Sequence, residues 1–147
     1  MIEVRGNLWT YPADVRVITT NGTIKKNGEC VMGRGCAAEA KAKYPLLPKA
    51  LGDWLRDRGN IPSLFIVADN MPPIVTFPVK HHWHEKADAV LIQHSAERIV
   101  SMINNLHPNA RVIVMPRPGC GNGHLKWEDV RKVISPILDD RFHVITW

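Results

Sequence analysis

Cysteine is scarce in this chain, and that scarcity is informative. Cys30, Cys36 and Cys120 are its three cysteines, and no CxxC pair occurs. An odd, scattered set supports neither a disulfide framework nor a zinc site. It suggests reduced thiols in a cytoplasmic setting. No apolar run approaches the 18 residues of a membrane-crossing helix, and mean hydropathy is −0.15. The first residues, MIEVRGNLWTYPADVRV, lack a basic region followed by an apolar stretch, so no signal peptide is expected. There is no run of five basic residues, no low-complexity tract, no linker and no internal repeat. Neither a GxxxxGK[ST] loop nor a GxGxxG fingerprint is present, which excludes two common nucleotide-binding designs.

What remains is a chain of 147 residues with 45% hydrophobic residues, enough for one domain with a real core spanning 1–147. Nineteen Lys and Arg against fourteen Asp and Glu give a net charge of +5. That mild excess permits a phosphate-bearing ligand or a nucleic acid without requiring either.

Strand and helix patterns alternate. Ile2–Arg5 and the β-branched Val15–Thr20 read as strands, followed by a helix over Gly35–Tyr44 that Pro45 stops. A second helix is expected over Lys49–Arg58, then strands at Leu64–Ala68 and Ile74–Pro78 around a DNMPP turn. Ile92, Ala96, Ile99, Ile103 and Leu106 recur every three or four residues, predicting a helix from Ala87 to Leu106. A strand at Arg111–Met115, a helix over Trp127–Leu138 bent near Pro136, and a strand at Phe142–Thr146 complete the pattern. This order predicts an α/β domain with helices on both faces of a largely parallel or mixed sheet, and ligands at the carboxyl ends of its strands.

Two glycine loops join strands to helices. One holds Gly33, Arg34 and Gly35; the other holds Gly119, Cys120, Gly121, Asn122 and Gly123. Glycines let backbone N–H groups converge and let an anion approach, and a helix N-terminus behind them adds partial positive charge. Two such loops suit the two phosphates of a pyrophosphate. Each alone is equally compatible with an ordinary turn.

The segments VRVITTN, VMGRGCAAEAKAKYP and VIVMPRPGCGNGHLKWEDV together resemble the macro-domain family, the ADP-ribose-binding module, over nearly the whole chain. TFPVKHHW, Thr76–Trp83, resembles the segment carrying a catalytic lysine in the branch of the DNA ADP-ribosyl glycohydrolase antitoxin and the terminal ADP-ribose protein glycohydrolase.

The resemblance implies a three-layer α-β-α domain with a mixed sheet of about six strands. It implies pyrophosphate contacts from Gly33, Arg34 and Gly35 on one side and from Gly119, Cys120, Gly121, Asn122 and Gly123 on the other. Asn21 would meet the distal ribose, and Asn7 and Leu8 the adenine, with Asn7 where macro domains often carry Asp. Lys80 would act at the distal ribose, as a nucleophile if burial lowers its pKa or as a positioning cation; alone, it reads as a solvated strand-end lysine. In the protein glycohydrolase an Asp assists the lysine; here that position is Gly123. His124 is either a general acid or base or a surface residue.

The implied activity is release of ADP-ribose from a nucleobase or protein side chain. A non-catalytic ADP-ribose-binding module and an ADP-ribose 1″-phosphate phosphatase are the alternatives. ADP-ribosylated DNA or protein, and a cognate ADP-ribosyltransferase toxin of bacterial or phage origin, are the implied partners. No cofactor and no metal are expected: His81, His82 and His84 lack the ligand spacing of a metal site, and His82 and Trp83 are expected to shape the cleft around Lys80. Trp9, Trp54, Trp127 and Trp147 read as packing residues.

Overall fold

The computed structural model describes residues 1–147. Six strands form one sheet: β1 (Ile2–Arg5), β2 (Val15–Asn21), β3 (Leu64–Phe65), β4 (Ile74–Lys80), β5 (Ile113–Pro116) and β6 (Phe142–Thr146). Their spatial order is β1-β6-β5-β2-β4-β3, and every neighbouring pair is parallel except β3 with β4. Four helices, α1 (Gly35–Lys43), α2 (Leu47–Arg58), α3 (Ala89–Leu106) and α4 (Trp127–Ile134), supply the outer layers.

Strand alternation divides the core into two halves. Val15 and Val17 of β2 and Val75, Phe77 and Val79 of β4 face α3 and α4, where they join Ile92, Ile99, Ile103 and Ile134 in one cluster of 18 buried residues. Ile18 and Ile74 face the other way, against Ala37 and Ala40 of α1 and Leu47, Leu51 and Leu55 of α2. Each fully buried isoleucine or leucine stabilises the fold by roughly 1.5–3 kcal/mol. The expected three-layer α-β-α architecture is therefore present, and no helix is long and apolar enough to cross a membrane.

Several boundaries differ from the sequence reading. β3 stops at Phe65 instead of reaching Ala68: it lies at the sheet edge, and Ile66 is largely exposed. β4 continues through Pro78 to Lys80. β3 pairs only with Ile74 and Val75, so Pro78 needs no partner for the N–H it lacks on that side. α2 begins at Leu47, with proline in its first turn, and α4 ends at Ile134, two residues before Pro136. β5 runs from Ile113 to Pro116.

α3 begins at Ala89 because Asp88 caps it. Asp88 Oδ1 accepts from the N–H groups of Val90 and Leu91 at 2.9 and 3.5 Å, and Oδ2 pairs with His81 Nε2 at 2.9 Å. The His81 contact and then these N–H groups hold the carboxyl pKa below the ordinary aspartate value. A group lowered in this way adds stability above its unfolded pKa and loses it as pH falls through the folded one. Asp88→Ala is expected to cost about 1 kcal/mol near neutral pH. The gap between variant and parent should close as pH falls through the lowered carboxyl pKa, as measured by denaturant melts across pH; a constant gap would contradict the capping role.

Candidate functional site

Because β1, β6, β5, β2 and β4 run parallel, their carboxyl ends share one edge of the sheet. A cleft of about 810 Å³ opens there, within the size range of small-molecule sites. Asn7 and Leu8 follow β1, Asn21 ends β2, Lys80 ends β4, the second glycine loop follows β5, and Ile145 ends the wall along β6. Gly33, Arg34 and Gly35 close the opposite side at the start of α1. Every site residue expected from the sequence lines this cleft except His124, which is exposed, stands outside it and has a left-handed φ of 61°. His124 therefore sits on the surface of the loop, away from the cleft lining where an acid–base group would act. His82 likewise stays outside the lining while its neighbour Trp83 belongs to it.

The glycine loops present unpaired backbone donors. The N–H groups of Gly33 and Arg34, and of Gly121, Asn122 and Gly123, donate to no acceptor within the protein. A Cβ added at Gly33 or Gly121 would meet nothing within 4 Å, so the backbone there borders open space. Gly119 and Gly123 have the opposite environment. Gly119 has φ +75° and would drive a Cβ to 2.8 Å from Ile92 Cδ1; a Cβ on Gly123 would lie 2.5 Å from the Gly119 carbonyl oxygen. Hydrogen bonds from Leu125 N to Gly119 O at 2.9 Å and from Ala87 N to Gly123 O at 3.0 Å fasten this tight turn to its surroundings. Position 123, where the resemblance would allow an Asp, therefore has no room for a side chain.

Lys80 reaches across the cleft. Its Nζ donates to Asn122 O at 3.0 Å and to Trp83 O at 3.3 Å, joining the end of β4 to the second glycine loop. Its pKa is lowered, first by burial and second by the Arg34 charge. The backbone beneath it is anchored, since Lys80 O accepts from Asn60 Nδ2 at 2.9 Å and Gly22 N at 3.1 Å. A register shift between Thr20 and Asn21 sets Asn21 directly beside Lys80. Glu39 supplies the only carboxylate side chain lining the cleft.

Asn21 has a structural task as well. Its Nδ2 donates to Val31 O at 2.9 Å and its Oδ1 accepts from Thr23 N at 3.0 Å, bracing the hairpin that leads into the first glycine loop. The Cys30 thiol also approaches Oδ1, at 3.9 Å, so what stays free for a ligand is one N–H of the amide. Asn7 Oδ1 accepts from Trp9 N at 2.8 Å, which leaves its second lone pair unused. Cys36 and Cys120 also line the cleft, and burial raises the pKa of both thiols, making them poor nucleophiles.

The sequence reading missed Asn60, whose support of Lys80 depends on a contact twenty residues away. It also assigned Trp9, Trp127 and Trp147 to packing alone, yet all three border the cleft. Trp54, which donates from its indole to Ile61 O at 3.0 Å, does pack away from it. His81, His82 and His84 belong to no group of metal-ligating side chains.

No family model matches the chain. It is 31% identical to the DNA ADP-ribosyl glycohydrolase of Thermus aquaticus over 98% of its length, and spans 39% of that relative. Among solved structures it superposes on the macrodomain of Mycobacterium tuberculosis DarG with a TM-score of 0.82 and 26% identity, covering 98% of this chain and 95% of that one. It also shares its fold with Thermosipho africanus DarTG in complex with ADP-ribose, at a TM-score of 0.79 and 18% identity, over 98% of this chain and 41% of that one. The cleft, its two glycine loops and the lysine at the end of β4 thus sit on a shared framework, and the chain belongs to the macro-domain family, in the branch of the DNA ADP-ribosyl glycohydrolases.

Proposed function

We propose that the chain is an ADP-ribosyl hydrolase that removes a terminal ADP-ribose from a nucleic-acid base. The observation that carries this reading is Lys80: a half-buried amine with a lowered pKa, reaching into a cleft edged by two sets of free backbone N–H groups. The N–H groups of Gly33, Arg34, Gly121, Asn122 and Gly123 would take the pyrophosphate from two sides. Asn7 and Leu8 would meet the adenine. Asn21 and Lys80, adjacent in the sheet, would meet the distal ribose.

In the step that follows, the neutral Lys80 Nζ attacks C1″ of the distal ribose. The bond from C1″ to the base nitrogen breaks, and its electron pair leaves with the base, which takes up the proton shed by Nζ. The ribosyl-lysine opens to an imine as the ring oxygen becomes the 4″-hydroxyl. Water adds to C1″, the C–N bond breaks, and ADP-ribose and Lys80 are released. Burial favours the neutral amine that begins this sequence, and Arg34 adds to that bias.

A second reading, an ADP-ribose-binding module without chemistry, rests on a specific observation: with Gly at position 123, the second glycine loop brings no carboxylate into the cleft beside Lys80. Incubation with an oligonucleotide bearing one base-linked ADP-ribose separates the two. Multiple turnovers of released ADP-ribose support the hydrolase, and tight binding without release supports the module. Free inorganic phosphate from ADP-ribose 1″-phosphate would instead indicate a phosphatase. An ADP-ribosyltransferase partner and a cytoplasmic setting belong to the same proposal. The first is suggested by the DarTG assembly named for the Thermosipho structure. The second rests on three cysteines that are all unpaired.

A further inference from the structure

Trp83 combines two properties that packing does not explain. It lines the cleft beside Lys80, yet the residue is 51% exposed, where tryptophan is on average highly buried. The backbone is fixed at both ends of the residue: Trp83 N donates to Thr23 Oγ1 at 3.0 Å, and Trp83 O accepts from Lys80 Nζ. His84 packs edge-on against the indole at 5.6 Å, and His82 stacks on His84 at 6.0 Å. The result is an aromatic surface held in place on the rim beside the reactive amine.

The surroundings favour a polyanion. Lys25 and Lys26 extend from the hairpin that holds Trp83 through Thr23. Lys86 follows on the Trp83 loop, and Arg34 lies close enough to Lys80 to lower its pKa; the carboxylates on the same two segments are Glu29, Glu85 and Asp88, the last paired with His81. An aromatic face flanked by lysines is the combination that binds single-stranded nucleic acid: bases stack, and the cations follow the backbone.

We infer that Trp83 is the stacking platform for the nucleobase carrying the ADP-ribose, unstacked from a single DNA strand that leaves the cleft past Lys25, Lys26 and Lys86. This rests on the reading of the cleft as an ADP-ribose site. Placing the base against the indole sets the base nitrogen next to the carbon that Lys80 attacks. It also gives the chain a preference for nucleobase linkages over ester linkages on protein, without any base-specific hydrogen bond.

The test is equilibrium binding in the Lys80→Ala background, where the ligand is not consumed. The probes are a single-stranded oligonucleotide with one base-linked ADP-ribose, a glutamyl-ADP-ribosylated peptide, and free ADP-ribose. Trp83→Ala should weaken the oligonucleotide roughly five- to hundredfold and the other two probes less than threefold. Trp83→Phe, which keeps a π-face, should restore most of the loss and guards against misfolding. Equal losses for all three probes would assign Trp83 to the ADP-ribose pocket and overturn the inference, as would unchanged oligonucleotide binding. Failure of the hydrolase reading is distinguishable. If Trp83 governs oligonucleotide affinity but the parent chain releases no ADP-ribose, the platform stands and the hydrolase falls. If release requires Lys80 while Trp83→Ala binds the oligonucleotide normally, the reverse holds.

Discussion

Replacing Lys80 with alanine should lower the rate of ADP-ribose release about a thousandfold or more, while the affinity for ADP-ribose changes less than about threefold. The asymmetry follows from what Lys80 touches. Its Nζ contacts two carbonyl oxygens, of Trp83 and Asn122, and its removal leaves the free N–H groups of both glycine loops in place. Lys80→Arg distinguishes nucleophile from positioning cation. Arginine retains a charge at this position but stays protonated and carries no lone pair for attack. If the amine is the nucleophile, Lys80→Arg is as inactive as the alanine variant; recovery of more than a tenth of the rate would assign Lys80 to ribose positioning. The pH–rate profile supplies an independent check. The neutral amine is the active form, so the rate should rise with pH and level off at a pKa below the usual lysine value, in the direction burial and Arg34 impose.

The second large effect concerns Gly123. Introducing aspartate there, to restore the carboxylate that the protein glycohydrolase uses, is expected to damage the domain. The new Cβ would stand 2.5 Å from the Gly119 carbonyl oxygen and 2.7 Å from Ala87 Cβ, with backbone on one side and the start of α3 on the other. Neither yields as a flexible side chain would. Overpacking together with a poorly solvated carboxylate should cost about 3 kcal/mol or more, a fall of roughly 10 °C in Tm for a domain of this size. ADP-ribose binding should weaken at least tenfold, because the Gly121–Gly123 N–H groups move with the turn. A stable Gly123→Asp variant with raised activity on ester-linked protein substrates would contradict this picture of the loop. Closing the turn on Gly119 and Ala87 thus leaves no room for a side chain at position 123.

The sequence exposed the alternating architecture and both glycine loops, because each depends on local signals. The helical period of Ile92, Ala96, Ile99 and Ile103 needs only the residues themselves. So do the glycines of MGRG and GCGNG. The β4 lysine was legible only through resemblance, since a lysine after an apolar run has no local mark of chemistry. What makes Lys80 distinctive is long-range. It is brought beside Asn21 by a shifted register between strands some sixty residues apart, anchored by Asn60, and linked to Asn122. The strand boundaries failed for a related reason. β4 passes through Pro78 because its neighbour β3 is short, and β3 is short because it lies at the edge; neither fact is encoded within the strand concerned. Trp9 and Trp127 do pack against the core, as their sequence suggests, but that they also border the cleft was not legible, because burial and cleft lining look alike in a one-dimensional pattern.

Titration calorimetry with ADP-ribose, and with AMP as the comparison ligand, tests the central claim most directly. Both ligands carry the adenine and one phosphate; only ADP-ribose carries the pyrophosphate and distal ribose that the two glycine loops and Asn21 would hold. The account predicts micromolar binding of ADP-ribose and affinity for AMP at least a hundredfold weaker, a gap of about 2.7 kcal/mol. Equal affinity for the two ligands, or no binding of ADP-ribose, would contradict it.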